Sequence, residues 1–196
     1  LDSLNLVALY TCPWPGQGFY FKKAVNSSAD TQGVKFRSYN SATATFAKEL
    51  GMTPVQVEAA ELSQALATGV AESFISSGST GYDRKVWEHL THYYKVNAWL
   101  PRNYVIVNKG VWNGLDGNTK SAIQKAADET GADCSAKSAE LANWYFEQLE
   151  ANGMSVEDAS PAFLKELKAI GAKMQSDWLA SAGADGQAIV DAYKSM

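Results

Sequence analysis

The sequence has 196 residues, 46% of them hydrophobic and 19% charged, and a chain of this size and composition buries a substantial core, which argues against disorder. Its formal net charge at pH 7 is -4, and its 17 lysines and arginines are scattered rather than clustered. This charge pattern provides no basic surface for a nucleic acid or an anionic membrane.

No apolar run approaches the roughly 20 residues that a helix needs to cross a bilayer, so we expect a protein that is not itself membrane-embedded. The first residues, LDSLNLVALYTCPWPG, lack the basic start of a signal peptide. We therefore expect no export signal within this stretch of sequence.

The cysteines, Cys12 and Cys134, are too far apart in sequence for a CxxC redox pair or a zinc knuckle. They can form a disulfide, remain as free buried thiols, or pair with something else. On the residues alone, free buried thiols are the favoured alternative.

The first half of the chain alternates short strand patterns with helix patterns. Residues 4–10 are predicted to form a strand that ends at a proline and glycine cluster, residues 13–18. Residues 33–39 are predicted to form a second strand, in which Val34 and Phe36 alternate with Lys35 and Arg37. Arg37 is therefore expected to point away from Val34 and Phe36.

Two helices with glycine stops follow this strand. Ser41 is the predicted cap of a helix that ends at Gly51, and residues 59–69 repeat the pattern with a stop at Gly69. Residues 55–57 and 70–76 have the composition of short strands. The order is βαβαβ, which predicts an α/β fold with a mainly parallel sheet.

The second half is predicted to be richer in helix. Residues 83–94 have helical spacing, and residues 103–111 are predicted to form a strand. A helix over residues 120–151, capped by Asn118 or Thr119 and interrupted only by Gly131, would be about 45 to 50 Å long and could serve two lobes at once. Residues 160–183 and 185–196 are predicted to form two more amphipathic helices.

Enzymatic chemistry has weak sequence support. His89 and His92, beside Glu88, lie at i, i+3 on the predicted helix, whereas the HExxH motif needs i, i+4. The serine cluster of residues 76–79 fits neither GxSxG nor a P-loop, and GQGFYF and GLDGNTK lack nucleotide-binding spacing. We therefore expect no enzyme activity, no metal and no cofactor. The alternative, an α/β hydrolytic or metal-dependent enzyme using His89 and His92 or the serine cluster, predicts ester turnover or a stoichiometric metal.

Aromatic and hydrogen-bonding residues are concentrated at the predicted strand ends. In open parallel sheets, ligands bind beyond the carboxyl ends of strands, so these residues are the candidate ligand site. They are Trp14, Arg37, Tyr39, Asn40, Ser76, Ser77, Asn97 and Trp99. An arginine fork can hold a carboxylate with two parallel hydrogen bonds. The alternatives are an ordinary salt bridge for Arg37 and core packing for Trp14 and Trp99.

The order of three segments resembles a known family. SADTQGVKFR, ELGMTPVQVEAAELSQALATGVAES and NYVIVNKGVWNGLDGNTKSAIQKAADE are similar to the solute-binding proteins of TRAP (tripartite ATP-independent periplasmic) transporters, the DctP-type family. The matching residues are Asp30, Gly33, Lys35 and Arg37, then Leu50, Gly51, Pro54 and Val55, then Glu61, Ala65, Leu66 and Gly69, and finally Asn108, Trp112 and Leu115. The similarity extends from about Gly16 to the C-terminal helices.

This resemblance implies a periplasmic receptor that captures a small organic carboxylate between two α/β lobes and delivers it to TRAP permease subunits, without catalysis. It implies that Arg37 forms the carboxylate salt bridge. A ligand-binding asparagine of many relatives falls at Ser76 or Ser77, and Ala59 replaces a bulky aromatic, which leaves room for a larger ligand. A periplasmic location also permits a bridge between Cys12 and Cys134.

The resemblance also divides the chain. It implies a periplasmic-binding-protein-like two-lobed fold with mainly parallel or mixed sheets and a long lobe-spanning helix. Residues 1–102 would belong to the second lobe, residues 103–142 would return to the first lobe, and residues 143–196 would pack on the second lobe and the hinge. Family members carry more residues before the segment that corresponds to Leu1. We therefore expect the first lobe to be incomplete here, with a longer chain or a partner chain supplying the rest.

Overall fold

The structure, a computed structural model, describes all 196 residues. The strands are β1 (Leu6–Pro13), β2 (Gln17–Phe21), β3 (Lys35–Ser38), β4 (Thr53–Gln56), β5 (Ser73–Ser76), β6 (His92–Trp99), β7 (Arg102–Asn108) and β8 (Ser155–Asp158). The helices are α1 (Ser41–Glu49), α2 (Leu62–Ala67), α3 (Gly78–Asp83), α4 (Lys109–Gly114), α5 (Gly117–Ala151) and α6 (Pro161–Lys194). Short 3-10 turns cover Asp2–Leu4, Ser28–Thr31, Ala59–Glu61 and Val86–Glu88.

The strands form a six-stranded sheet in the order β4-β3-β5-β2-β6-β8 and a separate two-stranded sheet of β1 and β7. Strands β3, β4 and β5 run parallel and are joined through α1 and α2, which confirms the predicted βαβαβ unit. Strand β2 inserts antiparallel between β5 and β6. Strands β6 and β8 also pair in parallel, so the large sheet is mainly parallel and β2 is its one antiparallel strand.

Helices cover both faces of the large sheet. On one face, Phe19, Phe36 and Phe163 belong to a core that includes residues of α1 and α6. On the other face, Tyr20 and Phe74 belong to a second core with residues of α2 and α5. Successive residues of a strand point to opposite faces, so β2 is buried on both sides. A strand of this kind has no polar alternation, which is why the sequence pattern does not reveal it.

The predicted helix over residues 83–94 is wrong. Lys85 has a left-handed backbone (φ 48°), Val86–Glu88 form only a 3-10 turn, and β6 begins at His92. Tyr93 and Tyr94 pack into different cores. Because both faces of this strand are buried, its apolar residues are consecutive rather than alternating, and such a run cannot be told from a helical pattern by sequence alone. The short strand β8 is a second element that the sequence pattern did not reveal.

The long helix is present and continues through Gly131. Its cap is Asp116 rather than Asn118 or Thr119, because the backbone N–H groups of those two residues donate to the Asp116 carboxylate over 2.9 and 3.0 Å. A Cβ at Gly131 would lie 2.9 Å from that of Tyr10, so the glycine lets α5 approach β1 closely. Helix α6 turns at Gly183 (φ 64°), near the boundary of the two predicted C-terminal helices.

Cys12 and Cys134 form a disulfide between β1 and α5, with their Cα atoms 5.7 Å apart. The preference for free buried thiols was therefore wrong. A residue-level argument cannot detect that the packing of β1 on α5 brings these distant positions together. The bridge fastens the two-stranded sheet to a helix whose other end reaches Leu149 in the core of the large sheet.

None of the helices combines the length and the apolar character that a bilayer-spanning helix requires.

Candidate functional site

A cavity of about 360 Å³ opens where the parallel strands end. Arg37 and Tyr39 lie at the end of β3, Glu58 follows β4, and Ser76 ends β5. Since β2 runs antiparallel to β5, the first residue of β2, Gln17, reaches the same edge. The cavity thus occupies the crevice beyond the carboxyl ends of strands where ligands of such sheets bind.

Arg37 is the buried cation of this cavity. Its residue surface is only 5% exposed, and its Nε donates a hydrogen bond of 2.8 Å to the Val57 carbonyl oxygen. The terminal amino groups have no acceptor in the protein, and Arg37 takes part in none of the ion pairs. One edge of the guanidinium therefore fixes its orientation, while the other edge keeps its donors free for a ligand.

The neighbours of Arg37 keep this cation in place. Its guanidinium carbon lies 5.1 Å from the centre of the Tyr39 ring, which is within cation–π range. Burial lowers the pKa of Arg37, and the nearby Tyr39 and Glu58 partly offset that effect. An arginine side chain stays protonated in proteins, so the cavity keeps a positive charge that is poorly solvated. An anion that enters the cavity would supply the partner that this buried charge lacks.

Tyr39 and Gln17 form a polar pair beside the arginine. Burial raises the pKa of Tyr39, so its hydroxyl stays protonated, and it donates to Oε1 of Gln17 over 2.8 Å. Gln17 is only 7% exposed, and its side-chain nitrogen has no hydrogen-bond partner in the protein. The pair therefore presents a free amide donor to the cavity.

The remaining wall combines hydroxyl, amide and apolar groups. Ser76 donates to the Thr80 hydroxyl oxygen over 2.8 Å, which leaves the Thr80 proton free to point elsewhere. Asn103 of β7 adds a second amide. The apolar lining consists of Trp14, Ala59, Leu62 and Pro101. The arrangement suits binding of a small polar anion, with an apolar wall to exclude water.

Four of the eight predicted site residues meet at this cavity: Trp14, Arg37, Tyr39 and Ser76. The sequence analysis missed Gln17, Glu58, Thr80 and Asn103. Gln17 gives no local signal, because it begins a strand that is buried on both sides and reaches the cavity only through antiparallel pairing with β5. Glu58 follows a predicted strand, so its position alone could have identified it as a candidate.

The other predicted residues have different surroundings. Asn40 is the exposed cap of α1, where its Oδ1 accepts the Thr43 N–H over 2.8 Å. Ser77 is fully buried, with its hydroxyl oxygen 2.8 Å from that of Ser79. Its carbonyl oxygen accepts the Tyr20 hydroxyl over 2.8 Å. Both residues have structural partners and lie outside the cavity lining.

Asn97 and Trp99 line a second groove, of about 650 Å³, between β6, α1 and α6. The Trp99 ring lies edge-on to Phe46, with ring centres 5.2 Å apart. Asn97 has a left-handed backbone (φ 48°). The irregular end of β6 directs both side chains to the α6 side of the sheet, away from Arg37.

The residues of the enzyme alternative do not form a catalytic arrangement. His89 ends a 3-10 turn, while His92 belongs to β6, stacks on Tyr94 and has its Nδ1 2.8 Å from the Thr91 hydroxyl oxygen. The two histidines therefore do not share a helix. No group of three or more histidine, cysteine, aspartate or glutamate side chains is placed to hold a metal. In the serine cluster, the hydroxyl groups of Ser77 and Ser79 are hydrogen-bonded to each other, and that of Ser76 donates to Thr80.

Comparison with protein families gives one match over most of the chain. The model of the DctP family, described as bacterial extracellular solute-binding protein, family 7, matches residues 17–182. No curated protein matches the chain significantly.

Solved structures give closer matches. A TRAP solute-binding protein from an unidentified marine microbe, specific for pyroglutamate and crystallised with co-purified pyroglutamate, is 86% identical over 100% of this chain, with a TM-score of 0.96. Two extracytoplasmic solute receptors of Bordetella pertussis that bind pyroglutamic acid are 41% and 38% identical, with TM-scores of 0.97 and 0.95, over 100% and 98% of this chain. All three are binding proteins rather than enzymes, and they have the same α/β architecture. The chain spans 64%, 65% and 64% of their lengths.

Proposed function

Because the chain belongs to the bacterial extracellular solute-binding proteins of family 7, the DctP family of TRAP receptors, we propose that it captures a small organic monocarboxylate at the Arg37 cavity. The observation that carries this proposal is the buried guanidinium of Arg37, which has free donors and no ion pair. A carboxylate there accepts two parallel charge-assisted hydrogen bonds from the fork. Tyr39 and Trp14 exclude water from that contact.

Pyroglutamate is the ligand that the comparisons favour. Three relatives, one of them 86% identical, bind it. The molecule has a carboxylate, a ring N–H and a ring carbonyl on a compact apolar frame. The cavity offers partners of each required kind, with Arg37 for the carboxylate and amide groups on Gln17 and Asn103. The apolar lining residues, such as Leu62 and Pro101, would contact the ring carbons.

We further propose that the ligand is enclosed by two lobes and delivered to a TRAP membrane permease in the periplasm. The six-stranded sheet would form the second lobe. Residues 103–142 would belong to the first lobe, and residues 143–196 would pack on the second lobe and the hinge. Strand β1 lies within residues 1–102, which the sequence assigns to the second lobe, but it pairs with β7, so we propose that β1 belongs to the first lobe instead. The support is structural: the two-stranded sheet is separate from the large one, and α5 packs on both. Tyr104 and Ile106 of β7 are 59% and 45% exposed, as expected of a sheet face that packs on further structure.

Ligand binding should stabilise the full-length protein. With pyroglutamate at 100 times its dissociation constant, we expect about 2.7 kcal/mol of added stability, measured as a rise in the thermal midpoint. Pyroglutamic acid amide is the matched control, because it keeps the ring and replaces the carboxylate with a neutral group. Equal stabilisation by the amide, or no stabilisation by pyroglutamate and other small carboxylates, would contradict the proposed function.

A further inference from the structure

Arg37 and Glu58 are the only charged residues that line the cavity. The two residues lie close together, because the Arg37 Nε donates a hydrogen bond to the carbonyl oxygen of Val57, the residue directly before Glu58. Yet their side chains do not form an ion pair, and Glu58 takes part in no other ion pair. The cavity lining therefore combines a buried cation that has no ion pair with an exposed anion that also has none.

An ionised carboxylate only accepts hydrogen bonds. When a ligand fills the cavity and displaces water, the Glu58 oxygens need a donor, since an unsatisfied charged acceptor is costly once desolvated. The Arg37 donors would be occupied by the ligand carboxylate. The free amide group of Gln17 has the opposite character, because its nitrogen only donates. A fitting ligand thus presents a donor to Glu58 and an acceptor to Gln17.

We propose that Glu58 determines specificity by accepting a hydrogen bond from an N–H group of the ligand and by repelling a second carboxylate. This inference depends on the proposed function, since it assumes that Arg37 holds the first carboxylate. A lactam acid satisfies the cavity: its carboxylate meets Arg37, its ring N–H meets Glu58, and its ring carbonyl meets Gln17. Open-chain dicarboxylates are disfavoured because their second negative charge would lie near the negative charge of Glu58 and be repelled by it.

Two ligand analogues separate these contacts. The lactone analogue of pyroglutamate, 5-oxotetrahydrofuran-2-carboxylate, replaces the ring N–H with an oxygen and keeps the carboxylate and carbonyl. The lactone ring oxygen can only accept a hydrogen bond, so it cannot form one with the Glu58 carboxylate, which also only accepts. By calorimetry on the full-length protein, we expect pyroglutamate to bind at least about 10-fold more tightly than the lactone, as a hydrogen bond to a charged group requires. Glutarate, a dicarboxylate of similar length, should bind more weakly than either.

Substitution of Glu58 should remove this discrimination. Glu58→Ala should bring the lactam and lactone affinities close together, and Glu58→Gln should strengthen glutarate binding because it removes the negative charge. Glu61→Gln is the matched control, since Glu61 lies three residues further on and lines a different surface depression. It should leave all three affinities unchanged. Glu58 is exposed, so these variants should fold, and the thermal midpoint of each free variant checks this.

The outcomes distinguish the two proposals. If pyroglutamate binding depends on Arg37 but the lactam to lactone ratio is the same in Glu58→Ala and the unsubstituted protein, the role of Glu58 is overturned and the receptor function stands. If the unsubstituted protein binds neither the lactam nor the lactone, the inference about Glu58 is overturned, and if it binds no other small carboxylate either, the proposed function fails with it.

Discussion

Replacing Arg37 with alanine is expected to weaken pyroglutamate binding by about 100-fold or more. Truncating one partner of a buried, hydrogen-bonded charge pair costs 2–5 kcal/mol, and each ~1.4 kcal/mol corresponds to a factor of ten in affinity. The loss should be large here because Arg37 is the only cation that lines the cavity. Calorimetric titration of the full-length variant measures the affinity directly.

Two further variants show which property of Arg37 matters. Arg37→Lys keeps the charge but loses the planar fork, so it should bind more weakly than the unsubstituted protein and more tightly than Arg37→Ala. Arg84→Ala removes an exposed arginine at the end of α3, outside the cavity lining, and should leave the affinity unchanged. If Arg37→Ala binds pyroglutamate as tightly as the Arg84→Ala variant does, the ligand carboxylate is held by another group.

The double substitution Cys12→Ser and Cys134→Ser is expected to lower the free energy of unfolding by about 5 kcal/mol. The bridge closes a loop with a sequence separation of 122 residues, and the loss of chain entropy on closing a loop of this length is of that size. Proteins of this kind are stable by only about 5–15 kcal/mol in total. Denaturant unfolding of the variant and the unsubstituted protein, both without reductant, measures the difference.

Reductant provides the control for this experiment. It should destabilise the unsubstituted protein toward the stability of the double variant, and it should leave the double variant unchanged. Titration of thiols in the denatured, unreduced protein should find none. Two reactive thiols in that titration would show that Cys12 and Cys134 are not bridged.

The orientation of Arg37 was predictable because a strand alternates its side chains. Phe36 packs into one core, and Arg37 lies on the opposite face of β3, above Val57 and near Phe74. The position of the cavity was predictable for a related reason. A βαβαβ order sets the carboxyl ends of β3, β4 and β5 at one edge, and this is where Arg37, Glu58 and Ser76 converge.

Other features depend on topology that no local pattern contains. Gln17 joins the site only because β2 runs antiparallel to its neighbours, which brings its first residue to their carboxyl ends. Asn40 illustrates the opposite problem, since an asparagine after a strand can contact a ligand or cap the next helix, and only the backbone geometry selects the cap. The strand β6 was mistaken for a helix because both of its faces are buried.

The most direct test of the account is a crystal structure of the full-length protein with pyroglutamate. We expect the ligand carboxylate to lie against Arg37, accepting two nearly parallel hydrogen bonds from the guanidinium, while the Nε bond to Val57 persists. A ligand whose carboxylate is bound by other groups, with Arg37 instead paired to Glu58, would contradict the account.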